Sequence, residues 1–495
     1  MSFIRLIQKS LWFYRKLNFT IVLGIALSTA ILVGALIIGD SVKYSLQQIT
    51  VQRLGNTSHV VTAGERLFRQ QLGNELSEKT GVQATALLRA NGFAVIEGGE
   101  LRINQMAVWG VDSAFGQFAN DAESFLLEGN NVAINENLAR LAGLNTGDEF
   151  LLRVNKLNTF PANTPFVAEK EATISFRVNV AKILESEQLG NFNLQNIQSA
   201  PRNVFLNLAW MNQQMELEQK ANVILVSEGV SDAEVITHIQ QSWTLEDVNL
   251  EVRENEALNY TEVISDRVFV EPAVEQFCAT HMTESRPVFT YFINDFSING
   301  QQSPYSFVST DESLKGQQMT VSQWLADDLK IKGKDTVKLT YFEVGPLRRL
   351  VPRDTSFIVE RIYKQEGQLA DQNLMPVIPG LSDAGNCRDW KTGVPVDLKK
   401  IRPKDEDYWK ALKGTPKAFI SLETGQKLWG NSFGQSTAIR MEGLKKAAFE
   451  KTLLSGLLPS QMGFDVKDVK AEGISAASNG TDFGQLFIGL SFFVL

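Results

Sequence analysis

The stretch that decides the architecture is Phe19-Thr-Ile-Val-Leu-Gly-Ile-Ala-Leu-Ser-Thr-Ala-Ile-Leu-Val-Gly-Ala-Leu-Ile-Ile-Gly39, which contains no charged residue. Wound as a helix at about 1.5 Å per residue it reaches roughly 30 Å, the thickness of a bilayer's hydrocarbon core. Arg5, Lys9, Arg15 and Lys16 precede it with no acidic residue among them, and Asp40 follows it. Positive charge on the N-terminal flank predicts a cytoplasmic N-terminus, with everything from Asp40 onward exported until the chain meets a second membrane segment. A cleavable leader has a shorter apolar run, about 7–15 residues, ending at a small-x-small site. The end of this run, Ala35-Leu-Ile-Ile-Gly39-Asp40, offers no convincing site of that kind, so a retained anchor over residues 19–39 is favoured over a removed signal.

On the N-terminal side, Ile4, Ile7, Leu11 and Tyr14 repeat at helical spacing, with Arg5, Lys9 and Lys16 off their face. Residues 1–18 therefore read as a cytoplasmic amphipathic helix in the headgroup layer; a charged flank that merely fixes topology reads equally well. Inside the span, Thr20, Gly24 and Ser28 fall four apart, as do Ala26, Ala30 and Gly34, a spacing that lets another helix approach closely. Beyond the span, Val42, Leu46 and Ile49 keep helical spacing until Leu54-Gly55-Asn56 supplies a stop. Residues 40–61 are thus expected to be a stalk helix and its connection. A continuous helix can carry displacement from the bilayer outward, as a flexible linker cannot.

Hydrophobic residues make up 44% and charged residues 21% of the 495, the proportions of a folded water-soluble body rather than a bundle of membrane helices. A net charge of −8 argues against a nucleic-acid partner, which needs a basic surface. Two cysteines, Cys278 and Cys387, are too few to frame a chain of this size; paired or as buried thiols, they support no disulfide assignment.

The exported part resembles itself. Gly64-Glu-Arg66-Leu-Phe68 is similar to Ser265-Asp-Arg267-Val-Phe269, an offset of 201, and Ile134–Ala139 to Val321–Ala326, an offset of 187 that also carries Asp148 onto Asp335. Ser175-Phe176-Arg-Val178 matches Ser356-Phe357-Ile-Val359 at 181, and Phe205–Leu208 matches Phe419–Leu422 at 214. The common order of these matches argues for a duplication. Each unit reads as a helix (around 65–79 or 266–278), strands, a short helix (136–142 or 322–329), a tight turn, more strands and a last helix. The expected fold is α+β, with two tandem extracytoplasmic lobes at residues 62–255 and 256–475. The second carries an insertion, roughly Pro379 to Trp409, expected to be a surface loop. Asp482-Phe-Gly-Gln485 opens an apolar run over 483–495 that reads as the truncated start of a second membrane helix, with a short core helix as the alternative.

Motifs of chemistry are missing. There is no phosphate loop of the form G-x-x-x-x-G-K-[ST], no G-x-G-x-x-G after a strand, no G-x-S-x-G elbow and no H-E-x-x-H. His59, His238 and His281 are far apart, and Cys278-x-x-His281 stands alone, so no metal site is assigned. Asp405-Glu406-Asp407 lacks the loop of a calcium site and reads as a solvated acidic turn. Trp390, Trp409, Trp429 and Phe433 could line a ligand groove but fit a core better. No catalytic, cofactor-binding or metal-binding residue is assigned, and no cofactor is expected.

Layout and local sequence together resemble the FtsX-like, or MacB-type, ABC transporter permeases, of a larger subgroup. The stretch Leu36-Ile-Ile-Gly-Asp40-Ser41-Val42-Lys-Tyr-Ser-Leu46 is similar to the exit of their first membrane helix. Val132-Ala-Ile-Asn-Glu-Asn-Leu138-Ala-Arg-Leu-Ala-Gly-Leu144-Asn-Thr-Gly147-Asp148 is similar to a segment of their periplasmic core domain. Arg402-Pro403-Lys404-Asp405-Glu406-Asp407-Tyr408-Trp409, with Gly414-Thr415-Pro416-Lys417-Ala418-Phe419, looks like the larger subgroup. The chain departs from the family in holding one span and part of another, and in an exported region about twice the smaller members' length. The resemblance implies a permease subunit of the inner membrane that couples ATP hydrolysis on a separate cytoplasmic ATPase to motion of its periplasmic part. Export, lipoprotein release and activation of a partner are all compatible with it. It further implies a homo- or heterodimer of permeases in membrane lipid, compatible with a periplasmic or outer-membrane partner, and no enzymatic activity in this chain. The rival reading is a single-pass anchored extracytoplasmic binding or adhesion protein.

Overall fold

The structure is a computed structural model that describes residues 3–96, 99, 101–119, 121–157, 173–196, 199–345, 349–378, 380–391, 393–479 and 489. The expected second membrane helix, 483–495, lies outside the described residues but for Gly489.

Helix α1 (Phe3–Phe13) meets α2 (Arg15–Leu54) at a one-residue joint, Tyr14, with φ −93° and ψ 17°. The expected span and stalk are one uninterrupted helix of 40 residues, about 60 Å long. It is long and apolar enough to cross a membrane. Phe19, Ile21, Val22, Leu23, Ile25 and Leu27 all point away from the protein, an apolar surface far larger than a water-soluble helix exposes.

The first half of the body continues with β1 (Thr57–Thr62), β2 (Phe68–Arg69), α3 (Gln71–Thr80), β3 (Ala84–Ile96), β4 (Leu101–Val111), α4 (Phe115–Phe118), β5 (Asn131–Asn135) and α5 (Glu136–Ala142). It is completed by β6 (Glu149–Asn155), β7 (Thr173–Leu184), β8 (Asn203–Asn207), α6 (Leu208–Gln214), β9 (Lys220–Ala221), β10 (Val223–Ser227), α7 (Asp232–Ser242) and β11 (Leu250–Asn255). The second half runs β12 (Tyr260–Ser265), α8 (Pro272–His281), β13 (Arg286–Val288), β14 (Tyr291–Ile298), β15 (Gln301–Asp311), β16 (Gln318–Ser322), α9 (Gln323–Leu329) and β17 (Thr336–Val344). Then come β18 (Leu350–Tyr363), α10 (Pro403–Leu412), β19 (Ala418–Ser421), α11 (Leu422–Trp429), β20 (Ala438–Glu442), α12 (Lys446–Gly456), β21 (Asp465–Asp468) and α13 (Val469–Asn479).

The α+β class holds, and the duplication is visible in the strand order. In the first half β3-β4-β8-β5-β7-β6 close on themselves through β3–β6 pairing; in the second, β14-β15-β19-β16-β18-β17 form a closed barrel in the same order. Every neighbour relation keeps its direction, including the parallel pairs β4–β8 with β15–β19 and β5–β7 with β16–β18. Even the irregularity in the second parallel pair recurs, between Val132 and Ala133 and between Met319 and Thr320, an offset of 187. The barrels pack separate cores, Leu88, Ile134, Leu152 and Val204 in one and Phe292, Val321, Leu339 and Ile420 in the other.

Two expectations need correction. The offset for β7 onto β18 is 179, not 181. Phe176 pairs with Leu152 while Thr355 pairs with Leu339, and the turn bonds Gly147 N to Val180 O (2.7 Å) and Lys334 N to Val359 O (2.8 Å) agree. A slip of two leaves every side chain on its original face, so the alternation of residue types could not reveal it. The insertion is not a surface loop: Leu381, Cys387, Val394 and Trp409 are buried in the second barrel's core, and α10 lies within it.

The halves also trade strands. Beside the barrels lie two mixed layers in which β21-β1-β10-β3 matches β11-β12-β20-β13. Strand β11 ends the first half but pairs with β12 of the second; β21 ends the second but returns to β1, setting Asp468 opposite His59. Between the layers, Val61, Phe68 and Leu72 share one core with Val263, Val274 and Phe449.

Candidate coupling site at the foot of the stalk helix

Helix α2 enters the body through its last turn. Leu54 is fully buried among Phe115, Phe118, Phe125, Leu189 and Phe192, a knot of edge-to-face rings such as Phe115–Phe125 at 4.8 Å and Phe115–Phe192 at 5.2 Å. Gly55 ends the helix at φ +57°, where any side chain is strained, and a Cβ there would sit 2.4 Å from Phe118 O. Asn56 N then donates to that same Phe118 oxygen at 3.0 Å. Arg53 donates from Nη1 to Gln195 O and from Nη2 to Asn196 Oδ1 (2.7 Å), and Gln52 donates to Glu187 at 2.9 Å. The foot of the helix is therefore fixed on three sides, by rings, by a backbone contact and by the 185–196 loop.

A second helix shares this foot. Because β21 lies antiparallel against β1, α13 leaves the sheet beside the point where α2 enters it and packs back along α2. Asp468 Oδ1 accepts from Ala471 N (2.8 Å) in its first turn. Gly473 permits the close approach: a Cβ there would meet Thr50 Cγ2 at 2.6 Å. One turn nearer the apolar segment, Gln47 Nε2 donates to Ser478 Oγ at 2.8 Å. Two antiparallel helices thus rise from one strand pair, and sliding or turning one against the other must load that pair. The segment Leu36–Leu46 lies within α2, whereas Gly473 and the 185–196 loop carried no recognisable signal in the sequence.

The motifs that carry the family resemblance fall elsewhere. Val132–Asp148 forms β5, α5 and the following turn; Asn135 caps α5 through Leu138 N (3.2 Å). Arg402–Phe419 forms α10 and enters β19. There the acidic run is solvated only in part: Asp407 is exposed and Glu406 half-buried, but Asp405 is buried, accepting from Arg402 Nε at 2.7 Å, and Arg402 also reaches Asp328 at 2.6 Å. Burial works to raise Asp328, but hydrogen bonds from Arg402 and Lys404 outweigh it and hold the carboxyl below its usual range. Lys417 lies at the centre, buried, its Nζ 3.8 Å from Asp405 Oδ1 and 3.9 Å from the centroid of the Trp324 ring. Burial pulls it down from 10.5 to about 8. The equivalent place in the first half holds neutral Asn203, which donates to Gly190 O (2.9 Å) and Phe192 O (2.8 Å).

Cys278 and Cys387 are buried free thiols, and burial raises both. Cys278 and His281 do not converge on a ligand; His281 Nδ1 faces Phe277 O at 3.1 Å, and its ring stacks on Phe277. Trp429 stacks on Tyr291 at 5.0 Å within the core, and Trp390 meets Trp409 edge-on at 4.8 Å. Among the described residues no three His, Cys, Asp or Glu side chains are placed to hold a metal ion.

No family model matches this sequence, and no curated protein matches it. Among solved structures, the chain is similar to the periplasmic region of MacB from Actinobacillus actinomycetemcomitans, at 10% identity and a TM-score of 0.26, over 39% of this chain and 84% of that one. It is also similar to the extracellular domain of the noncanonic ABC-type transporter YknZ from Gram-positive bacteria, at 13% identity and a TM-score of 0.24, over 37% of this chain and 88% of that one.

Proposed function

We propose that the chain is the permease subunit of an ABC transporter of the FtsX/MacB type. In this reading a separate cytoplasmic ATPase closes on ATP, and α2 carries that movement across the inner membrane to the periplasmic body. The observation that supports it most is the single helix from Arg15 to Leu54, anchored in the body at Leu54, Gly55 and Arg53 and flanked by the returning α13. A tether needs neither an unbroken stalk nor a second helix locked against it at Gly473.

The chain itself carries out no catalysis in this account; hydrolysis belongs to the partner. Two permeases, alike or different, assemble in the membrane, with α1 on its cytoplasmic face and the body outside. Movement of the body then serves export, lipoprotein release or activation of a periplasmic partner. Affinity purification of the full-length protein from gently solubilised membranes tests this. A P-loop ATPase is expected to accompany it in stoichiometric amount. Its consistent absence overturns the proposal in favour of an anchored binding or adhesion protein.

A further inference from the structure

On the outer face of the first barrel lies a cleft of about 580 Å³ that neither the duplication nor the stalk explains. Its volume falls in the range that holds small ligands, about 300–1,000 Å³. Its floor comes from outward positions of β3 and β4, including Arg89, Asn91, Phe93 and Asn104, and its wall from the segment leading to β8, including Asn193 and Arg202. Among the described residues no aspartate or glutamate lines it, although the protein carries a net charge of −8.

Four of the polar groups that line this cleft, on Arg89, Arg202, Asn104 and Asn193, offer donors. Half-buried Arg89 lies 5.4 Å from the centroid of the Trp109 ring, and its guanidinium has no carboxylate partner among the described residues. Burial without such a partner pulls it below the usual guanidinium range. Arg202 spends one Nη1 hydrogen bond on Asn104 O (2.7 Å), and its guanidinium has no other partner among the described residues. Asn104 Oδ1 accepts from Arg102 (2.8 Å) and Asn193 Oδ1 accepts from Gln195 N (2.9 Å). Both amides are thereby oriented by their oxygens, and their NH2 groups have no protein acceptor among the described residues. Two guanidinium groups and two amide donors without a facing carboxylate complement an oxyanion, while Asn91 and Gln105 suit hydroxyls; the Phe93 ring carries the Arg102 guanidinium 3.9 Å from its centroid.

We propose that this cleft binds a small hydroxylated oxyanion, a sugar of one or two rings carrying a carboxylate or phosphate, with Arg89 and Arg202 on the charged group. Phosphate could also come from a lipid headgroup, but Arg53, which grips the cleft's own loop, stands 14 residues beyond Gly39 on α2. That places the loop about 20 Å above the end of the apolar segment, out of a bilayer headgroup's reach. The site stands on the cleft alone, whether or not an ATPase partner is found. Its occupant would nevertheless touch the segment Asn193–Asn196, whose Gln195 and Asn196 are the acceptors of Arg53.

Isothermal titration of the full chain in phosphatidylcholine nanodiscs tests the proposal, with glucuronate, glucose 6-phosphate, glycerol 3-phosphate and maltose as probes. Glucuronate and glucose 6-phosphate are expected to bind, more weakly as salt rises, and maltose not to. Arg202→Gln and Arg89→Gln should each weaken binding about tenfold or more, the loss of a charge-assisted hydrogen bond. Arg202→Gln leaves the stack on Trp109 untouched and so separates ligand loss from misfolding. Glycerol 3-phosphate binding as tightly as the sugars would show a headgroup-like site and overturn the sugar assignment. No binding of either acidic sugar, equal binding of maltose, or wild-type affinity in the Arg89→Gln/Arg202→Gln double variant overturns the site.

Discussion

Replacing Lys417 with methionine should make the protein more stable at neutral pH, and the gain should vanish as the solution turns alkaline. The ammonium is enclosed between Trp324, Tyr408 and Asp405, and burial pulls it from 10.5 to about 8. Each pH decade of differential protonation is worth ~1.36 kcal/mol, so holding this lysine charged in the fold costs about 3 kcal/mol below pH 8. Between pH 8 and 10.5 the unfolded lysine keeps its proton while the folded one has lost it. The unfolded state then binds more protons, and wild-type stability rises with pH across that window. Urea titrations of wild type and Lys417→Met, followed by tryptophan emission, should show a gap that closes by about 3 kcal/mol between pH 8 and 10.5. The buried thiols Cys278 and Cys387 act in the opposite sense, because their unfolded forms lose protons first; Cys278 is untouched by the substitution, and burial keeps Cys387 protonated in both folded proteins although Lys417 draws it down, so the two cancel in the difference. A gap independent of pH would refute the account of Lys417 as a buried cation.

Two further outcomes check other parts of the structure. Arg402→Met takes the guanidinium from Asp328 and Asp405, whose side chains are only 2% and 6% exposed and which keep Lys404 and Lys417, and should cost about 1.5–3 kcal/mol in a urea titration at neutral pH; a loss below about 0.5 kcal/mol would contradict the network described. Cysteines introduced together as Gln47→Cys and Ser478→Cys should be bridged in the full-length protein by a short bifunctional thiol reagent that spans the missing length of the Gln47 side chain, whose amide reaches Ser478 Oγ at 2.8 Å, while the native thiols are buried; failure to cross-link would deny the antiparallel packing of α2 and α13.

The parts legible in the sequence are those that one period writes directly. The uncharged run from Phe19, the capped short helices at Asn135 and Ser322 and the alternation of the strands all depend on near neighbours. What escaped depends on partners distant in the chain. Nothing in Asp465–Asp468 says that it returns to β1 at the other end of the body. The insertion hid its role because its short turns bury single residues such as Leu381 and Cys387, leaving no period to detect. The cleft escaped for a related reason: Arg89, Asn91 and Asn104 occupy outward strand positions, where polar residues ordinarily mean only water. The absence of an opposing carboxylate is a property of the assembled surface.

The exchange of β11 and β21 bears on how the molecule is made. Asp468 must find His59, 409 residues earlier. As the chain is synthesised from its N-terminus, the outer rim of β1 stays bare until almost the entire body has been made, an open seam that invites wrong strands in the meantime. Maturation of the first barrel's neighbouring layer is therefore late by construction, and the arrival of β21 both closes that seam and brings α13 to its place against α2.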